Sequence, residues 1–401
     1  MRRLRILILA VLTAAALAGA RTSARADSIF GINFIGERVE PGDARLAALG
    51  GYVQTVDDSL GVLQYNPAAL AWMKRFSFGA AGYFTSDQNK SADIEQRKNG
   101  TTFSHLLFAF PLYKQRLTGG VSFRGRYDAD GEFITTGVTP ENITYNDHYE
   151  RTGGLFAIPI QVAYDAGNYL KVGVFYSLER GRIEEQWFKE FPGNDADASS
   201  DRERVFRGHA LGAGFVTRPT PALSIGLTYE SKIDYDVDVT EKFTSSSADT
   251  NSTDSATIPA RMTVSTSYRL SREMTLFAGG SRCDFTKFEG VTFPETRLAT
   301  ELIGSVGLEY RLGDSHVPLR GSFTYEQLPY MLPAGENIKR YAFAVGTGKI
   351  MRGGRGKVDI ALQFANTGSV NTNTYADRSV RFFLSITGSE DWKRKRDRRS
   401  E

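Results

Sequence analysis

From Arg75 onward the chain alternates apolar and polar residues with a period of two. Met262, Val264 and Tyr268 fall on one side of a ribbon, with Arg261, Thr263, Ser265 and Ser267 on the other. Leu302, Val306, Leu308 and Tyr310 oppose Ser305, Gly307 and Glu309; Leu319, Phe323 and Tyr325 oppose Arg320, Ser322, Thr324 and Glu326. Val358, Ile360, Leu362 and Phe364 turn away from Asp359, Ala361 and Gln363, as Val380, Phe382, Leu384 and Ile386 do from Ser379, Arg381 and Ser385. Alternation of this kind predicts strands with one apolar face. About fourteen such runs follow one another: 75–86, 101–112, 117–127, 152–164, 169–180, 203–217, 223–236, 257–269, 274–286, 300–311, 317–327, 339–349, 356–366 and 378–388. The runs around His209 and Cys283 are ambiguous.

The connections alternate too. Brief polar turns at residues 113–116, 165–168, 218–221, 271–273, 313–316 and 352–355 take turns with long segments at 87–100, 128–151, 181–202, 237–256, 287–299, 328–338 and 367–377. Tight turns on one side and large loops on the other are the pattern of an up-and-down membrane barrel. The runs have the ~9–11 residues that a tilted strand needs to cross a bilayer.

Period two alone does not say whether the apolar faces meet lipid or a soluble core. Eight strands already make a filled barrel, so fourteen closed with apolar faces inward would leave a space their side chains could not fill. Turned outward, the same faces form a lipid-facing band, and Arg261, Arg320 and Arg381 fall on the lumen side. There they avoid the ~2–4 kcal/mol cost of a lipid-facing arginine at mid-bilayer. The soluble competitors are an exported β-propeller or double sandwich, but no repeated blade signature is visible. The expected fold is therefore all-β: a transmembrane up-and-down antiparallel β-barrel of about 14 strands with a small N-terminal helical plug.

The plug is expected from Gly42 to Met73, a compact Ala/Leu-rich stretch unlike the rest. Asp43 can cap a short helix over Ala44–Leu49 that Gly50-Gly51 ends, Asp57-Asp58-Ser59 can open a second turn, and Asn66-Pro67 can cap a third ahead of Ala68. Before it, Met1–Arg5 is basic, Ile6–Ala20 is apolar and Ala24-Arg25-Ala26 has the form of a cleavage site, which predicts a secretory leader removed before Asp27. The chain then divides into a leader (1–26), a plug (27–74), a barrel (75–388) and a basic tail (389–401) with Lys393, Arg394, Lys395, Arg396, Arg398 and Arg399. The expected location is the outer membrane of a Gram-negative-type bacterium.

Charge changes with processing. The whole chain carries +3, but the leader holds five arginines and no acid, which leaves −2 and removes the case for a nucleic-acid partner. Cys283 is the single cysteine, so no internal disulfide exists. His105, His148, His209 and His316 are scattered without metal-ligand spacing, and no nucleophile elbow, phosphate loop or zinc motif occurs. No enzyme activity, cofactor or metal is expected. Trp187, Phe188 and Phe191, among charged residues of a long connection, are candidates to receive an amphipathic ligand at the outer mouth; interfacial anchoring is the competing reading.

The plug residues Gly42-Asp43-Ala44-Arg45, Gly50-Gly51-Tyr52, Val56-Asp57-Asp58 and Tyr65-Asn66-Pro67-Ala68 resemble the N-terminal hatch of FadL/TodX-type outer-membrane proteins, a group that includes a PorV-like branch. Ile258-Pro259-Ala260-Arg261, Ser267-Tyr268-Arg269 and Asp284-Phe285-Thr286-Lys287-Phe288 are similar to a mid-barrel signature of that family, and Leu319–Tyr325 with Arg340-Tyr341 resembles its last third. The resemblance implies a monomeric fourteen-stranded barrel, plugged at its periplasmic side, that passes hydrophobic small molecules such as fatty acids or hydrocarbons and sits in outer-membrane lipid. Asn66, Pro67, Ala68, Asp57 and Asp58 are then the plug or gate residues. The PorV-like alternative is a docking or shuttle subunit of a secretion or envelope complex. The chain departs from the pattern at Ala69, where many members have glycine, and in its basic tail.

Overall fold

The computed structural model describes residues 30–31, 34–40, 42–56, 66–91, 95–138, 144–191, 198–243, 249–290, 297–313, 317–331, 336–351 and 354–390. Fourteen antiparallel strands close into a barrel. They are β1 (Phe76–Lys90), β2 (Glu95–Tyr113), β3 (Leu117–Asp128), β4 (Thr144–Asp165), β5 (Leu170–Glu190), β6 (Ala198–Thr217), β7 (Leu223–Glu230), β8 (Arg261–Arg269), β9 (Met274–Asp284), β10 (Thr300–Arg311), β11 (Pro318–Met331), β12 (Asn337–Ile350), β13 (Gly356–Gly368) and β14 (Ala376–Glu390). Closure is made by β1 on β14, from Phe76↔Glu390 to Lys90↔Ala376. Every strand therefore has two neighbours and no edge is left inside a bilayer. Among the described residues no helix is long and apolar enough to cross a membrane.

The expected orientation holds. Met262, Val264, Leu302, Val306, Phe323, Phe364 and Leu384 are exposed on the outer surface, while Ser265, Ser305, Arg320, Gln363, Arg381 and Ser385 are buried inside. The short turns gather at one end, with Phe76 and Glu390, and the long connections at the other.

The long connections are not loops in the way the sequence suggests. The segment 181–202 is ladder up to Glu190 and again from Ala198, with Lys189 opposite Ala198. Strand β3 resumes as Gly131–Val138, β7 as Ile233–Phe243 after a break at Ser231-Lys232, and Thr250–Ile258 runs into β8 after a break at Pro259-Ala260. Proline has no N–H for the ladder, which accounts for the second break. With the far ends of β4, β5 and β6, these pieces form a six-stranded sheet that continues the wall beyond the apolar band.

Two of the three turns expected in the plug fall among the described residues, and the first is shorter than the expected Ala44–Leu49. Among its described residues the one α-turn, α1, is Ala44–Ala47, and Pro67–Trp72 is a 3-10 helix. The two predicted caps are present: Asp43 Oδ1 accepts from Leu46 N (2.8 Å) and Asn66 Oδ1 accepts from Ala68 N (3.0 Å). Gly50 and Gly51 end the first turn with φ of +93° and +79°, which glycine alone adopts without cost. The rest of its described residues are extended or coiled. Asp57, Asp58, the leader, His316 and residues 391–401 lie outside the described residues.

Candidate functional site

The site is the lumen and the N-terminal segment that fills it. This segment runs from the loop end to the turn end of the barrel. Its contacts with the wall fall into three layers.

At the loop end the layer is apolar. Phe34 is buried with its ring 5.6 Å from Phe285, 5.3 Å from Phe288, 6.0 Å from Tyr330 and 6.5 Å from Tyr127. Phe30 and Ile35 join it, as do wall residues that point inward here: Ile183, Phe206, Tyr235, Val237 and Ile338. Phe206 and Tyr235 meet edge to face at 5.8 Å. The inner faces near His209 and Cys283 were ambiguous in sequence for this reason: they line an apolar chamber rather than a wet lumen. Cys283 is buried there and donates to Pro259 O.

Below lies an ionic layer. Arg38 bridges Glu301 (2.9 Å) and Glu326 (2.6 Å), and Glu301 also pairs with Arg261. Arg381 holds Glu37 and Glu40, each at 2.7 Å, and Arg340 pairs with Glu37. A second ionic group lies at the turn end, where Arg45 of α1 grips Glu309 with two bonds of 3.1 Å; Glu309 also holds Arg320 (2.8 Å), which reaches Asp359 (2.8 Å). On the opposite wall Arg126 binds Glu179 and Glu230, and Arg124 binds Glu230 at 2.6 Å. Guanidinium forks matched to carboxylates fix register as well as proximity. Of the three arginines assigned to the lumen in sequence, Arg261 and Arg381 sit in the ionic layer and Arg320 at the turn end; among the described residues only Arg381 of the three pairs with the plug directly. The plug–wall pairs Arg38–Glu301, Arg381–Glu40 and Arg381–Glu37 join residues 263 to 344 positions apart and carry no local signal.

At the turn end the layer is apolar again. Leu46, Leu49, Val53, Val56 and Ala69 pack with Phe277, and Leu70, Ala71 and Met73 with Leu107, Ala109 and Ala163. The plug backbone lies directly on the wall. A Cβ at Gly173 would come within 2.5 Å of Pro67 C and Ala68 N, and one at Gly279 within 2.6 Å of Tyr52 O. Of the candidate gate residues, Asn66 donates to the wall carbonyls of Phe215 (3.0 Å) and Leu227 (3.4 Å), while Pro67 and Ala68 open the 3-10 helix. Trp72 is covered by Lys171 (4.0 Å) and Arg218 (4.3 Å), and Lys74 binds Asp165 at 2.5 Å.

The candidate mouth aromatics do not converge on one pocket. Trp187 and Phe188 lie on β5 rather than in a loop, as neighbours on opposite faces; Trp187 packs on Tyr149 at 5.2 Å and Phe188 on His148 at 6.3 Å. Phe191 follows the strand and packs on Tyr145 at 5.4 Å. Among the described residues no three His, Cys, Asp or Glu side chains form a metal cluster.

Solved structures share this architecture. The toluene transporter TbuX of Ralstonia pickettii superposes with a TM-score of 0.60 at 14% identity, over 87% of this chain and 98% of that one. A Pseudomonas aeruginosa FadL homologue gives 0.60 at 12% identity over 88% and 99%, and the Pseudomonas putida toluene transporter TodX gives 0.58 at 14% over 88% and 99%. At such identities the likeness establishes the fold, an outer-membrane β-barrel of FadL type. No curated protein sequence matches the chain. A family model described as BamG matches residues 1–286, most of the 401-residue chain, and the chain belongs to the BamG family.

Proposed function

We propose that this protein is an outer-membrane barrel that admits hydrophobic molecules, fatty acids or aromatic hydrocarbons, with its own N-terminal segment as the gate. The observation that carries this reading is the apolar chamber around Phe34. Water-filled porin lumens are polar, yet here Phe206, Tyr235, Val237 and Ile338 point inward and Phe34 fills the space between them. A hydrophobic ligand would take the place of Phe30 and Phe34, gaining ~0.8 kcal/mol for each methylene removed from water. The fold shared with two toluene transporters supports the same ligand class.

Trp187, Phe188 and Phe191 would collect ligand outside. Onward passage needs the Asn66–Ala68 turn to leave the wall, and Asp57 and Asp58 are the further gate residues of this reading. No covalent chemistry or nucleotide is involved, and one chain suffices. The test is flux into liposomes carrying the protein. Oleate should enter faster than into protein-free vesicles while a polar solute should not; equal oleate rates overturn the reading.

A second reading, a docking subunit of an envelope complex, is favoured by a different observation: the lumen is stoppered through all three layers, and a six-stranded sheet stands beyond the apolar band. Stoichiometric co-purification of a protein partner, with no lipid in the lumen, would support it over transport.

A further inference from the structure

At the loop end, β1 and β14 bring together an uncompensated pair of carboxylates. Asp87 stands opposite Ser379 and Asn89 opposite Asp377, all four turned inward and nearly or fully buried. Residues diagonal across a ladder are ~7–8 Å apart at their backbones, within reach of one another's side chains. Two residues along, Thr85 pairs with Arg381, so the group borders the ionic layer.

The charges do not balance. Arg340 and Arg381 are matched by Glu37 and Glu40. Asp87 accepts only from Thr85 Oγ1, at 3.0 Å on each oxygen. Both oxygens of Asp377 are buried without a hydrogen-bond partner at 1% exposure, and Ser379 Oγ is likewise unpartnered at 3%. Among the described residues neither aspartate has an ion pair. Burying a carboxylate without a partner costs several kcal/mol. Asp377, alone of the four, also lines a cavity of about 510 Å³ between the β1–β2 and β13–β14 ends.

We infer that Asp87, Asn89, Asp377 and Ser379 form a binding site for a divalent cation, with calcium the ion that suits it. These residues offer only oxygens: two carboxylates, an amide carbonyl and a hydroxyl, with room for water. A hard cation with six to eight flexible oxygen ligands fits such a set better than zinc, which asks for nitrogen and sulfur, or magnesium, which asks for near-ideal octahedra. With two carboxylates instead of three or more, affinity belongs to the ~10⁻⁴–10⁻³ M class of extracellular modules. An ion here would tie β1 to β14, the pair that closes the barrel, and would neutralise the charge beside Glu37 and Glu40 that hold the plug.

The test is equilibrium dialysis of detergent-purified, EDTA-stripped full chain against radiolabelled calcium, with thermal melts in parallel. The parent should bind about one calcium more than Asp377→Asn, and its melting midpoint should rise with calcium while that of the variant does not. Asp87→Asn gives the same comparison should Asp377→Asn misfold, and Ser379→Ala, which keeps both charges, should weaken binding without abolishing it. Equal calcium binding by the parent and both aspartate variants, or none by the parent at 10 mM, overturns the site.

Discussion

The ion pair that joins α1 to the wall makes unequal demands on its two ends. Removing Arg45 deletes two bonds of 3.1 Å to Glu309, yet Glu309 keeps Arg320 at 2.8 Å and Arg311 at 3.4 Å, so no charge is stranded. The loss of charge-assisted hydrogen bonds sets the cost of Arg45→Ala at about 1.5–3 kcal/mol. Removing Glu309 takes the same carboxylate from two buried guanidinium groups at once. Arg45, 7% exposed, loses its bidentate wall partner and Arg320 one of its two carboxylates, and the loss of both charge-assisted links costs about 3–5 kcal/mol. At 1.4 kcal/mol per tenfold, plug opening should increase ~10–100-fold in the first variant and ~10² to several thousandfold in the second. The double variant should fall short of the sum, since side chains that share an interaction couple by ~0.5–3 kcal/mol.

Hydrogen exchange reads this locally. The amides of Ala47 and Ala48 are bonded within the plug to Asp43 O (2.9 Å) and Ala44 O (3.1 Å) and should exchange faster in proportion, while amides in the β12–β13 ladder keep their parental rates. Additive costs, or a Glu309→Ala effect no larger than that of Arg45→Ala, would refute the account of Glu309 as the shared partner of both arginines. Equal acceleration in the ladder would mean that the barrel rather than the plug had been loosened.

Other expectations follow from single positions. Val306 is 57% exposed near the middle of β10, so Val306→Arg should cost about 2–4 kcal/mol in urea unfolding from lipid vesicles; an unchanged midpoint would contradict its contact with lipid. Gly173→Val places a side chain where Pro67 and Ala68 now lie, so conductance across planar bilayers should rise above that of the parent; parental conductance would mean that the turn does not seal the wall. Phe34→Ala should destabilise the N-terminal segment by about 3–5 kcal/mol and leave an apolar void that takes up benzene, measurable by calorimetry. Benzene binding no greater than in the parent would argue against the chamber.

The fourteen strands were legible because lipid and lumen impose opposite polarities on alternate residues. Beyond the apolar band that rule inverts. The outer face becomes Arg180, Arg182, Arg207, Asp234 and Asp238, which meet water, and the inner face becomes Ile183, Phe206, Tyr235 and Val237, which meet the plug. Segments 181–202 and 237–256 therefore looked like loops although most of their residues are paired. The caps at Asp43 and Asn66 could be read locally, since a cap lies within three residues of its helix. What they dock on could not. Arg38 meets Glu301 and Arg381 meets Glu40 only after the whole barrel has closed, and nothing in the spacing of these residues records it.

The order of the layers bears on how such a plug could be released. While the lumen is open, the wall charges of Glu309, Arg320, Asp359 and Arg381 are hydrated at little cost. When the plug enters they lose that water, and attraction to Arg45, Glu37 and Glu40 does little more than offset the loss. The net hold therefore comes from the two apolar layers, Phe34 and its ring of aromatics at one end and Leu46, Leu49, Val53 and Val56 with Phe277 at the other. The ions decide where the segment sits, because a fork matched to a carboxylate tolerates no slip along the wall. A hydrophobic ligand that takes the Phe34 chamber removes one of the two anchors and leaves the register charges to rehydrate, so the plug need not be pulled against every bond it makes.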